Sequence, residues 1–277
     1  MNAHTHAIDP AVQAVIRQRL REIEEAHAVR VLYACESGSR GWGFASPDSD
    51  YDVRFIYVHA VSWYLQVSPQ RDVIELPIAG DLDISGWELR KALGLLRKGN
   101  ATLIEWLASP LVYRADAPFL EAMHAAAKQT HQAERSFHHD LHMARKNRHD
   151  YLRGDSVRLK KYLYALRSLL AALWISRGRG VAPMRFQELV DVLVTDAPLR
   201  RAIDDLLALK RAAMESEVGP PMPVLDAFID TELTRLEAAA PPKREPTDFS
   251  VLDRLLMSTV LKTPALDPMI APPSRGA

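Results

Sequence analysis

Residues 36–54 read ESGSRGWGFASPDSDYDVR. The segment just before them, Val29 to Cys35 (VRVLYAC), is apolar and β-branched, which predicts a buried strand. Tyr51 to Val58 (YDVRFIYV) begins with alternating polar and apolar residues and predicts a second strand. Between the two, Gly38-Ser39 is expected to close the first strand and open a short helix. Such a turn offers backbone N–H groups to an anion, and glycine lets the anion come close. Ser39 adds a hydroxyl and Arg40 a charge. Asp48, Asp50 and Asp52 then follow at every second position. On a strand, side chains two apart share a face, so Asp50 and Asp52 point the same way, with Arg54 beyond them. Tyr51, Val53 and Phe55 face the core. Neighbouring carboxylates repel unless a cation sits between them. A magnesium ion held by a few carboxylates together with substrate phosphates would resolve that conflict.

Other readings of the acidic run fail on specific residues. A calcium loop starting at Asp48 would need glycine at its sixth position and glutamate at its twelfth; Val53 and His59 stand there. Gly38 and Gly43 have the spacing of a phosphate-binding Walker loop, but Phe44-Ala45 replaces its Lys-Ser/Thr. Gly41-Trp42-Gly43 lacks the third glycine of a dinucleotide fingerprint. A simple turn accounts for Asp48 and leaves Asp52, inside a strand, unexplained.

Outward from this stretch, Asp9-Pro10 reads as a helix cap followed by proline at the first helical position, with apolar spacing to residue 26. Val73 to Ile78 and Leu82 to Ile84 predict two further short strands. From Trp87 onward apolar residues recur at helical spacing almost continuously. The expected fold class is α+β: a sheet with flanking helices over residues 1–115, an all-helical domain over 116–262, and a proline-rich tail of little order over 263–277. The 277 residues are 48% hydrophobic, enough for a sizeable core. Lys+Arg and Asp+Glu balance at 35 each, but Arg135 to Arg185 holds twelve Lys/Arg against Asp140, Asp150 and Asp155. That local excess could face phosphates. One cysteine, Cys35, excludes an internal disulfide. No apolar run approaches a membrane span and the N-terminus lacks a signal-peptide core, so a cytoplasmic location without membrane partners is expected.

Gly38-Ser39, ten residues, then Asp50-Tyr51-Asp52-Val53 resembles the signature of the polymerase-β nucleotidyltransferase superfamily, although Ser37 stands where that signature has an apolar residue. The fuller stretch ESGSRGWGFASPDSDYDVRFIY, with DISGWELRKAL, GNATLIEWLASPLVY and RLKKYLYALRSLLAALWI downstream, is similar to the YcgL/RlaP group of nucleotidyltransferases, also called RNA-ligase-associated polymerases. The resemblance implies transfer of a nucleotide from an NTP to an acceptor hydroxyl by two Mg2+ (or Mn2+) ions, with an RNA 3′ end as the leading acceptor; the alternatives are a protein or small-molecule acceptor, or a non-catalytic nucleotide or RNA sensor. It makes Asp50 and Asp52 metal-binding catalytic residues and calls for a third carboxylate from a later strand. Asp83 is the choice, with Asp81 on the same face as runner-up. It assigns Gly38 and Ser39 to the triphosphate; Arg40 and Arg54 would either set a charge beside the phosphates, Arg40 then binding the nucleotide, or form a structural ion pair with an aspartate. For the second wall of the cleft, Lys160, Tyr164 and Arg167 share one helical face, where an aromatic ring between cations could stack a base. Lys98 and Asn100 are weaker candidates of the same kind. His138 and His142 lie four apart, but without the glutamate of a zinc-protease motif they read as surface residues.

Overall fold

A computed structural model describes residues 8–212, 218–239, 241 and 247–263. In chain order the elements are α1 (Pro10–His27), β1 (Val29–Glu36), α2 (Gly38–Trp42), β2 (Tyr51–His59), α3 (Val61–Tyr64), β3 (Val73–Glu75), β4 (Leu82–Glu88), α4 (Leu89–Arg97), α5 (Ala101–Leu107), β5 (Val112–Ala115), α6 (Ala117–Thr130), α7 (Ala133–Tyr151), β6 (Val157–Arg158), α8 (Leu159–Ser176), α9 (Phe186–Leu193), α10 (Ala197–Ala212), β7 (Val218–Gly219), α11 (Pro223–Ala238) and α12 (Ser250–Lys262). The class is α+β. α1 starts as the sequence dictates: the Asp9 carboxylate accepts the Ala11 N–H at 2.7 Å and Pro10 follows the cap.

The main sheet runs β3-β4-β2-β1-β5. Only β2 and β4 are parallel; the other pairs are antiparallel. In the parallel pair Asp52 lies opposite Asp83, and Val53 opposite Ile84. The alternation of β2 divides its side chains as expected. Val53, Phe55 and Tyr57 pack with Ile16, Leu20 and Ile23 of α1 on one face. Ile56 and Val58 pack on the other with Leu89, Leu93 and Leu96 of α4. β4 continues to Glu88, beyond the expected end at Ile84, because pairing with both β2 and β3 holds Gly86 and Trp87 extended. β5 has no strand signal in the sequence; its four residues pair with β1 along the sheet edge.

A division at residue 115 is expected from chain order; helices that follow it in the chain pack with the sheet's layer. Phe119, Met123 and Ala126 of α6 join the sheet's α4–α5 layer, and so do Leu252, Leu255 and Val260 of α12. The helical unit is built from α7 to α11 around Leu163, Leu166, Leu170, Phe186 and Ile203. Phe44, from the loop after α2, is buried in that helical cluster. Amphipathic spacing says that a helix buries a face; it does not say against what. Of the expected tail, residues 264–277 lie outside the described residues. Among the described residues, no helix is long and apolar enough to cross a membrane.

Candidate active site

Asp52 and Asp83 sit side by side on neighbouring parallel strands, both partly exposed. Their carboxylates converge on one cation. The Arg54 Nη2 donates to Asp52 Oδ1 at 2.9 Å and to Asp83 Oδ2 at 2.7 Å. The Arg54 Nη1 is anchored to the Val53 and Asp83 carbonyls at 3.1 and 3.0 Å. Asp81, the runner-up, is exposed ahead of β4, where its carbonyl accepts the Tyr51 N–H at 2.7 Å. Asp50 is exposed at the mouth of β2.

Gly38 explains why glycine is needed at the turn. Its φ is +57°, and an added Cβ would lie 2.0 Å from the Asp52 Oδ2. The Asp52 carboxylate therefore fills the space where a side chain at 38 would stand. The Ser37 N–H donates to the Asp52 carbonyl at 2.8 Å, fixing turn and strand to each other. α2 begins here, and its first N–H groups are those a helix leaves for an outside acceptor. Ser39 is buried, 5% exposed. Arg40 is occupied on the loop: its guanidinium lies 3.8 Å from the centre of the Tyr51 ring and donates to the carbonyls of Ser49 and Asp50 at 2.6 and 3.1 Å. These contacts hold the segment that carries Asp50.

Sequence reasoning passed over Glu36. It is fully buried at the end of β1, where its Oε1 accepts the Asp52 N–H at 2.9 Å and its Oε2 accepts the Tyr113 hydroxyl. Burial pushes the Glu36 carboxyl up to about 7, against the pull of the Tyr113 and Asp52 hydrogen bonds. A carboxylate ending a mostly apolar strand was the available signal. Its meaning depends on Tyr113, 77 residues away.

The helical residues separate. Arg167 does not face an open cleft: it is 3% exposed, its Nη1 pairs with Glu105 Oε1 of α5 at 2.6 Å, and its guanidinium lies over Trp42. Expected as a nucleotide-binding residue, it lies in a buried ion pair between the two units. Tyr164 is half-buried in the same seam, edge-on to Trp42 at 5.1 Å and near Phe44 at 6.1 Å, with the Lys161 amine 4.9 Å from its ring. The ring that was to stack a base packs against the back of the Gly-Ser helix. Lys160 is partly buried at the start of α8. Asn100 caps α5 through the Leu103 N–H at 2.9 Å, and the Lys98 carbonyl accepts from Arg135 at 2.7 Å. His138 and His142 are exposed.

Among the described residues no three His, Cys, Asp or Glu side chains converge as a ready metal cage. The donors nonetheless suit a hard divalent ion: Asp52 and Asp83 are all-oxygen ligands already gathered around one positive nitrogen, with exposed Asp50 beside them in sequence.

Comparison with known proteins bears on this arrangement. The chain is 45% identical over 247 residues to the uncharacterized protein YcgL of Bacillus subtilis (strain 168), covering 88% of this chain and 95% of that one. A solved nucleotidyltransferase-like protein from Exiguobacterium sibiricum 255-15 aligns over 89% of this chain and 76% of its own, at 14% identity and a TM-score of 0.30, too loose to bear on the site. Residues 12–258 match RlaP, described as the RNA repair pathway DNA polymerase beta family. That match spans both the sheet with its paired aspartates and the helical unit, and the chain belongs to this family.

Proposed function

We propose that the protein transfers a nucleoside monophosphate from an NTP to an acceptor hydroxyl, releasing pyrophosphate, and that the acceptor is an RNA 3′ end. The observation that carries this reading is the convergence of Asp52 and Asp83 on one cation beside the Gly38 turn. Asp50, Asp52 and Asp83 would hold two Mg2+ or Mn2+ ions, which supply charge neutralisation at the attacking and leaving oxygens. The N–H groups at Gly38 and Ser39 receive the triphosphate. The acceptor oxygen forms a bond to the α-phosphorus as the bond to the β-phosphate oxygen breaks, and pyrophosphate leaves with that electron pair. Asp83 would take the hydroxyl proton, the role the family resemblance gives the third carboxylate. Glu36 and Tyr113 hold the Asp52 backbone from behind, so its carboxylate enters the reaction already oriented.

For RNA as acceptor, the support is the family's description and the basic segment, of which Lys146, Arg153 and Arg158 are exposed. The buried single cysteine suits a reducing, cytoplasmic setting. Label transfer tests the reading. Each α-labelled NTP is incubated with magnesium and either total tRNA or a lysate freed of nucleic acid, for wild type and Asp52→Asn. Label on RNA that vanishes in the variant supports the proposal. Label on protein or a small molecule moves the acceptor; no transfer with NTP binding retained makes the protein a sensor and refutes the enzymatic reading.

A further inference from the structure

The loop carrying Asp50 is gripped from the helical unit by a residue far away in sequence. Lys210, on α10, is 6% exposed, and its Nζ donates to the Ser46 Oγ at 2.8 Å in a buried contact. Ser46 and Ser49 share a hydrogen bond between hydroxyls at 3.0 Å. The Ser49 Oγ also accepts the Ser46 N–H at 3.0 Å, and the Ser49 N–H returns to the Ser46 carbonyl at 3.1 Å. These bonds close residues 46–49 into a tight turn whose exit is Asp50. On the far side of that turn the Ser49 and Asp50 carbonyls are taken by Arg40 from α2. Two cations thus hold the turn, one from the Gly-Ser helix and one from the helical unit. Burying an ammonium group costs free energy that an apolar side chain of similar length would not incur, so packing alone is a poor account of a lysine here.

We propose that Lys210 is a positioning residue: through Ser46 and Ser49 it fixes the 46–50 turn, and with it the place of the Asp50 carboxylate relative to Asp52 and Asp83. The role of Asp50 rests on the transfer reading above; the hold on the turn does not. Through this contact the helical unit acts on the chemistry without Lys210 itself touching a nucleotide. The device links two units whose seam also holds the Arg167–Glu105 ion pair and an aromatic cluster, Trp42 and Phe44 against Tyr164 and Phe186.

Lys210→Met and, from the other end of the bond, Ser46→Ala test this on the full-length protein. Hydrogen exchange by mass spectrometry follows residues 46–52, and the free Mn2+ signal gives the metal affinity. Both variants are expected to keep a cooperative melt, to exchange about tenfold faster over 46–52 alone, and to bind Mn2+ about five- to tenfold more weakly. If label transfer is established, kcat falls while KM for the NTP stays put, and Lys210→Arg recovers part of the loss. Unchanged exchange over 46–52 overturns the hold on the turn. Faster exchange with wild-type Mn2+ affinity reduces Lys210 to a structural tie and overturns the positioning role. A wild type that binds no Mn2+ counts against the transfer reading, and the exchange arm then decides the hold on the turn by itself.

Discussion

Replacing Gly38 with alanine should damage the site by a route that can be worked out from two distances and an angle. At φ +57° a non-glycine residue costs ~1–2 kcal/mol of backbone strain. The new Cβ would also start 2.0 Å from the Asp52 Oδ2. Ordinary contact begins at 3.4 Å, so the carboxylate must swing away and stretch its 2.9 Å bond to Arg54. Because the Asp52 side chain is 29% exposed, water screens that loss to about 1 kcal/mol. The total is roughly 2–3 kcal/mol in stability. Gly80 supplies the matched control: its φ is +59°, and an added Cβ meets nothing within 4 Å. Gly80→Ala should therefore show the backbone cost alone. Urea unfolding and Mn2+ titration of both variants separate the terms. Gly38→Ala should bind Mn2+ about tenfold more weakly or worse, and Gly80→Ala as wild type. Equal stability losses with wild-type Mn2+ affinity in both would refute the claim that the turn and Asp52 occupy one shared space.

The other expectations concern charge. Glu36, held at about 7 instead of its ordinary 4.5, favours folding when protonated, so its contribution is complete below pH 4.5 and is lost as pH rises through about 7. Wild type should lose on the order of 3 kcal/mol more than Glu36→Gln across that window, read as melting temperature against pH; parallel curves would contradict the assignment. Arg54→Met leaves Asp52 and Asp83 without their shared cation and should cost roughly 1–2 kcal/mol without metal. Divalent metal should then stabilise this variant more than wild type, and an equal gain in both would show that the metal does not use this pair. Arg167→Ala breaks a buried ion pair with Glu105 and should cost ~3 kcal/mol while leaving nucleotide affinity unchanged. A selective loss of NTP binding in a stably folded Arg167→Ala protein would restore the role expected from its sequence.

What could be read in the sequence was whatever is local in the chain. The strand before Gly38, the short helix after it and the shared face of Asp52 and Arg54 all follow from periods of two and from glycine chemistry. That Asp83, and not Asp81, lies opposite Asp52 depends on the parallel register, which comes from pairing and not from spacing. Tyr164 and Arg167 show the opposite limit. Helical spacing placed them on one face, but whether that face meets solvent or a second unit depends on Trp42 and Glu105, far away in the chain. Glu36 and Lys210 were hidden for the same reason, since Tyr113 and Ser46 give them their meaning. α12 returns to the sheet across the whole helical unit, and an amphipathic pattern carries no address.

The most direct test of the central claim is anomalous diffraction from crystals grown with Mn2+ and an NTP analogue that cannot be cleaved between its α- and β-phosphates. Manganese peaks about 2.1 Å from the Asp52 and Asp83 carboxylates, with Arg54 withdrawn from between them and the triphosphate on the Gly38-Ser39 turn, are the result expected. Arg54 still bridging the two aspartates, with nucleotide and metal bound elsewhere or not at all, would contradict it.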